Sequence, residues 1–121
     1  MLIEIATTDF ETTRLAVVGG ADRIELCAGL SEGGITPSAG LLELCRQEFE
    51  LPIYPIIRPR SGDFLYSQHE FEIMRKDIML CRTLGFEGVV LGLLNPDGTI
   101  DRNRTAQLIE WAYPMEVTFH R

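Results

Sequence analysis

Arg58-Pro59-Arg60 sets two cations close together just after an apolar run, in a chain that carries 18 acidic and 11 basic residues. Two neighbouring guanidiniums can grip a carboxylate or a phosphate through forked donors. Arg58 and Arg60 are therefore candidate anion-binding residues, with Asp63 in the loop just beyond them as a third group near the same ligand. Glu25 and Cys27 alternate along an apolar stretch and share one face if that stretch is a strand. Glu25 and His120 are the side chains best suited to move a proton. A single thiol with a histidine on a distant strand does not by itself make a metal site; a soft ion such as Cu(I) favours sulfur and usually takes at least two sulfur or imidazole ligands held together. The competing reading of the same residues is structural. Glu4 and Glu25 beside Arg58 could form an internal ion-pair network, and Asp63 could simply shape a turn.

Groups so far apart in the chain meet only if the elements between them bring them together. Strand and helix signals alternate from end to end. Leu2–Ala6 reads as a strand, and Thr8 with Glu11 as a capping box opening a helix that carries Leu15, Ala16 and Val18 and stops at Gly19-Gly20. Arg23–Cys27 is the second strand. The glycine-rich loop over residues 29–34 could cradle an anion, although Glu32 opposes that, and a plain structural loop is the simpler reading. Thr36-Pro37 is expected to start the next helix, with Leu41, Leu42, Cys45 and Phe49 inward. Ile53–Ile57 is a strand between prolines, and Ser67 with Glu70 forms a second capping box. Phe71, Met74, Ile78 and Cys81 recur at helical spacing, so Met74 and Cys81 read as core, as does Cys45 on the preceding helix. Gly85 ends that helix, Gly88–Leu93 is an apolar strand, Asp101 caps a helix to about residue 112, and Met115–His120 is a fifth strand.

The order β-α-β-α-β-α-β-α-β requires crossover connections and a parallel sheet. Such repeats build either a doubly wound sheet or a barrel, and the first strand is not followed by the G-x-G-x-x-G of a dinucleotide site. In either fold the binding groups gather where the strands end, and those ends carry Glu25, Cys27, Arg58, Arg60 and His120 with Arg121.

Composition narrows the partners. With 121 residues the chain is one domain, residues 1–121, and with 45% hydrophobic and 24% charged residues it is ordinary for a globular protein. A net charge of −7 repels phosphate backbones, so nucleic acid is not an expected partner. No apolar run suits a membrane span. A carboxylate at Glu4 interrupts the basic start that a signal peptide needs. The three cysteines form no C-x-x-C and leave an odd thiol, which suits a reducing compartment. The cytoplasm is the expected location.

Residues 20–27 (Gly-Ala-Asp-Arg-Ile-Glu-Leu-Cys), 33–38 (Gly-Gly-Ile-Thr-Pro-Ser), 57–60 (Ile-Arg-Pro-Arg) with 62–64 (Gly-Asp-Phe), and 117–121 (Val-Thr-Phe-His-Arg) resemble the CutC family of copper homeostasis proteins in content, order and spacing. The resemblance runs from Leu2 onward. It implies an α/β fold of the TIM-type (β/α) barrel class, present as a partial barrel of about five parallel strands and four helices, the N-terminal half of a whole that needs about 250 residues. It also implies a cytoplasmic role in copper homeostasis, with Cu(I) as the metal and Cys27 and His120 as its ligands. Members commonly carry a cysteine where this chain has Ala6, and a glycine where it has Ser61. Beside this stands the reading drawn from the rim residues themselves, a barrel enzyme acting on a small anionic metabolite. Open sheet edges would favour a homo-oligomer.

Overall fold

The computed structural model describes Met1 to His120. Strands and helices alternate as β1 (Glu4–Thr7), α1 (Phe10–Val18), β2 (Arg23–Leu26), α2 (Ala39–Glu48), β3 (Ile53–Pro55), α3 (Gln68–Leu84), β4 (Gly88–Leu91), α4 (Arg102–Ala112) and β5 (Glu116–Phe119), with a short 3-10 turn at Leu30–Glu32. Arg121 lies outside the described residues. No helix among those described is long and apolar enough to cross a membrane.

All strand pairs are parallel. β1 pairs with β2 (Ala6 opposite Glu25), β2 with β3 (Glu25 opposite Tyr54), and β4 with β5 (Val90 opposite Thr118). β3 closes at Pro55, and its bonding to β2 runs one residue further, where the Ile56 N–H donates to the Leu26 carbonyl at 3.0 Å. The two ladders are joined just beyond Pro55, where Ile56 bridges Val90 and the Ile57 N–H donates to the Val90 carbonyl at 2.7 Å. The spatial order is thus the chain order, β1 to β5, with none of the reversal that marks a doubly wound sheet. Each strand joins the same growing edge, and the helices collect on one side. This is a partial TIM-type (β/α) barrel.

Period-two alternation gives the sheet two unlike faces. Ile24, Leu26, Ile53, Ile57, Val89, Leu91 and Leu93 face the helices and meet Leu42, Cys45, Phe71, Met74, Ile78, Cys81 and Leu108 in the main core. The other face is the barrel interior. Its buried apolar cluster among the described residues is Cys27, Tyr54, Ile56 and Val90, and Glu4, Arg23, Glu25 and Glu116 share this face with the small Ala6 and Gly88.

Two helix starts differ from the sequence expectation. The first cap is Asp9, not Thr8: its carboxylate accepts the Thr12 N–H at 2.7 Å while the Thr12 hydroxyl accepts the Asp9 N–H. The second is Ser38, not Thr36, with α2 beginning at Ala39. Thr36 is committed elsewhere, since its hydroxyl accepts the Arg58 N–H at 2.8 Å and donates to the Arg58 carbonyl. The other caps stand as read, with a reciprocal Ser67–Glu70 box, Gly85 ending α3, and Asp101 opening α4. On α1 only Thr13 and Ala16 are buried, while Leu15 and Val18 lie open to solvent.

Candidate functional site

At the carboxyl ends of the strands a pocket of about 360 Å³ is lined by Glu25, Glu32, Ile56, Arg58, Phe64 and His120, with Gly33 and Gly62 completing its wall. That volume suits a small ligand. Its residues come from the ends of β2, β3 and β5 and from the loops after β2 and β3. A wider, shallower hollow of about 760 Å³ lies over residues 95–103. Its polar groups are spent on its own turn, Asn95 on Thr99, Thr99 on Asp97, and Asp101 on the start of α4.

Arg58 organises the pocket. The Thr36 bonds fix its backbone, and its side chain is almost wholly buried, at 5% exposure. Its Nη1 donates to the Glu32 carbonyl at 2.6 Å and to the Gly34 carbonyl at 2.8 Å, and its Nη2 to the Gly62 carbonyl at 2.9 Å. The guanidinium therefore ties both rim loops together. It also sits over the Phe64 ring, 5.0 Å from the centroid, and that ring meets His120 edge-on at 5.5 Å. Gly33 allows the close approach: it has φ +88°, and a β-carbon there would stand 3.2 Å from Nη1. No carboxylate among the described residues forms an ion pair with Arg58, and its buried Nε has no acceptor. A buried cation held only by carbonyl dipoles is incompletely compensated.

Glu25 lies across the same pocket. Its one polar contact among the described residues is the Cys27 thiol, at 4.0 Å. Burial first, and then the nearby Glu4 charge, push its carboxyl above the ordinary range. The expected Glu4–Glu25–Arg58 network does not form, because Glu4 pairs with Arg23. Below the pocket, Arg23 and Glu4 belong to an inner polar layer: Arg23 lies 4.6 Å over the Tyr54 ring, and the Tyr54 hydroxyl donates to Glu116.

Arg60 and Asp63 are not brought to Arg58. Alternation still carries Ile56 and Arg58 to the inner face and Ile57 to the helix side, but beyond Pro59 it no longer governs the chain. Arg60 turns to the start of α3, where it pairs with Glu70 and Asp63 and donates to the Leu65 carbonyl at 2.7 Å. Asp63 accepts the Leu65 N–H and the Arg60 guanidinium, which hold its carboxyl below the usual range. These two residues pin the loop after β3 and leave the pocket lining to others. Reading the sequence for chemistry missed Phe64 as a pocket wall; its aromatic character two residues after Gly62 was the available signal.

Cys27 is beside Glu25 on the inner face but does not line the pocket. Burial, and then the Glu25 charge, push its thiol up to about 12. Cys45 and Cys81 are buried against the helices. The described residues contain no group of three or more His, Cys, Asp or Glu placed to hold a metal ion. One protonated thiol beside a hard carboxylate, with Ala6 on the adjoining strand, is a donor set that does not fit Cu(I).

The whole chain, residues 1–121, matches the model of the CutC family. The chain belongs to the CutC family. It is similar to a CutC family protein of Edwardsiella ictaluri, 50% identical over 121 residues, covering 100% of this chain and 48% of that protein. It is also similar to the human copper homeostasis protein cutC homolog, 48% identical over 120 residues, covering 99% of this chain and 44% of the human one. The chain thus spans about half the length of these curated CutC relatives. A solved structure from Streptococcus agalactiae, described as a candidate copper homeostasis protein CutC, superposes with a TM-score of 0.88 at 32% identity, covering 99% of this chain and 59% of that one. A candidate phosphonomutase of Burkholderia cenocepacia gives a TM-score of 0.61 at 18% identity, covering 92% and 46%, and shares the fold alone.

Proposed function

We propose that the mouth pocket binds a small anionic metabolite, a carboxylate or a phosphate, and that the protein of which this fold is the scaffold acts on it as an enzyme. One observation carries the reading: Arg58 is buried on the pocket wall, donates to three loop carbonyls, and forms no ion pair with a carboxylate among the described residues. An anionic ligand supplies the missing counter-charge, and the pre-bonded guanidinium meets it with little reorganisation. Glu25, whose proton is retained to higher pH than usual, is the group that gives or takes a proton, with His120 on the same wall as the alternative. Copper homeostasis is the role printed in the relatives' names. Cu(I) ligation by Cys27 with His120 would require both to face one ligand space, yet His120 lines the pocket and Cys27 does not, so the anion reading is preferred for this chain.

The test is a titration with a panel of small carboxylates and phosphates, followed by amide chemical shifts. At least one member is expected to move Gly33, Gly62 and Phe64 saturably. Arg58→Gln should weaken that binding more than about tenfold, as loss of a charge-assisted hydrogen bond implies. Arg60→Gln, outside the pocket, should leave it unchanged. If no member shifts these amides, or if Arg58→Gln binds as the parent does, the reading fails.

A further inference from the structure

The pocket wall holds charges of both signs that are not paired with one another. Arg58 has no carboxylate partner, and neither Glu25 nor Glu32 has a cationic partner among the described residues, although all three line the same 360 Å³ space. A simple monoanion would satisfy only one side. It would neutralise Arg58 and at the same time be repelled by the half-buried Glu25 carboxylate in the same small cavity, where like charges interact more strongly than in water. The one polar contact of Glu25 among the described residues is the Cys27 thiol at 4.0 Å, a weak donor that satisfies it poorly. Ile56 and the Phe64 ring line the same pocket, so the apolar part of a ligand has a surface to rest on.

We infer that the ligand is dipolar: an anionic group meets Arg58, and a cationic or strongly donating group, such as a primary ammonium, meets Glu25 and Glu32. This rests on the pocket reading above and narrows its ligand class from small anions to amino-acid-like molecules. Each end of such a ligand completes a group that the protein leaves incomplete. The carboxylates that disfavour a plain anion become the source of selectivity.

The experiment compares matched pairs on the whole 121-residue chain: acetate with glycine, propionate with β-alanine, and butyrate with γ-aminobutyrate. Binding is followed by the amide shifts of Gly33, Gly62 and Phe64. In at least one pair the aminated member is expected to bind about tenfold tighter, the gain of one charge-assisted hydrogen bond. Glu25→Gln should reduce that preference severalfold while leaving the plain carboxylate equal or tighter. Carboxylates that bind as well as their aminated partners in all three pairs overturn the dipolar assignment and leave the anion pocket standing. An unchanged preference in both Glu25→Gln and Glu32→Gln overturns it as well. If neither member of any pair binds in an Arg58-dependent way, the dipolar assignment is overturned, and the panel of carboxylates and phosphates separately decides whether the pocket reading stands. The parent comparison needs no variant, so misfolding of Glu25→Gln cannot shelter the claim.

Discussion

Gly88→Ala tests the inner layer on which the pocket rests. Gly88 lies on β4 without positive φ, so alanine meets no backbone strain there. In an unconstrained strand the change would help slightly, because glycine weakens a strand. Here the added β-carbon would stand 2.4 Å from Tyr54 Cε2 and 2.7 Å from Cδ2 and Cζ, when carbon atoms at rest sit roughly 3.5–4.0 Å apart. The ring must therefore move by about 1 Å, and it is not free to do so. Its hydroxyl donates to Glu116, its face carries the Arg23 guanidinium at 4.6 Å, and it is only 4% exposed. Overpacking of a filled site costs about 1–3 kcal/mol. A strained hydrogen bond to a carboxylate and a weakened cation–π contact add to this, and the usual gain from removing glycine offsets part of it. We expect a net loss of about 2–3 kcal/mol, which for a domain of this size lowers Tm by about 10 °C. Urea and thermal unfolding of Gly88→Ala measure the loss, and a cycle with Tyr54→Leu isolates its cause. In the Tyr54→Leu background the alanine should cost nothing. A Gly88→Ala protein as stable as the parent would refute the reasoning, and so would an equal cost in both backgrounds.

Two further expectations concern titratable groups. The Glu25 carboxyl is raised above its ordinary 4.5 by burial and then by Glu4, so the folded state holds its proton more tightly than the unfolded chain. The contribution of its neutral form is fully present below pH 4.5 and is lost as pH rises through the raised value. Glu25→Gln should therefore be more stable than the parent at pH 8, with the advantage vanishing toward pH 4; a difference in urea midpoints that does not vary with pH would contradict this. Cys27, pushed up to about 12, is protonated at neutral pH and lacks a soft partner. Titration of reduced parent and Cys27→Ala with Cu(I) against a competing chelator should give equal affinities, and a large loss in the variant would return copper ligation to Cys27.

The order of the elements was legible because each carries its own local signal. Phe71, Met74, Ile78 and Cys81 repeat at helical spacing and are all buried, and Ser67, Gly85 and Asp101 cap as their types require. The opposite orientation of Leu26 against Glu25 and Cys27 followed from period two. What was not legible depends on contacts distant in the chain. Thr36 and Ser38 are equally good caps by type; the choice fell to Ser38 because the Arg58 backbone, 22 residues on, engages the Thr36 hydroxyl. Arg58 and Arg60 look equivalent in sequence, yet the carbonyls of two loops draw one into the pocket and Glu70 draws the other out. The Tyr54–Glu116 bond spans 62 residues and has no local trace.

The exposed apolar residues of the outer surface follow from the same repeat. A strand flanked by helices on both sides is sealed: Ile24 on β2, Ile53 on β3 and Val89 on β4 are all 0% exposed. Among the described residues β1 packs against α1 and β5 against α4. Their helix-facing residues Ile5 and Phe119 remain 37% and 39% exposed, although their types suit a sealed core. Leu15 and Val18 on α1 and Ile109 and Tyr113 on α4 are open as well. Surface of this kind invites a neighbour. A further βα unit, such as relatives of about twice this length have room for, would meet it. The placement of Arg58 is less dependent on such a unit. It is fixed by Thr36, Glu32, Gly34 and Gly62, all within the loops after β2 and β3 or at their edges, so the geometry of the pocket arginine is set by the interior of the sheet and not by its outer strands.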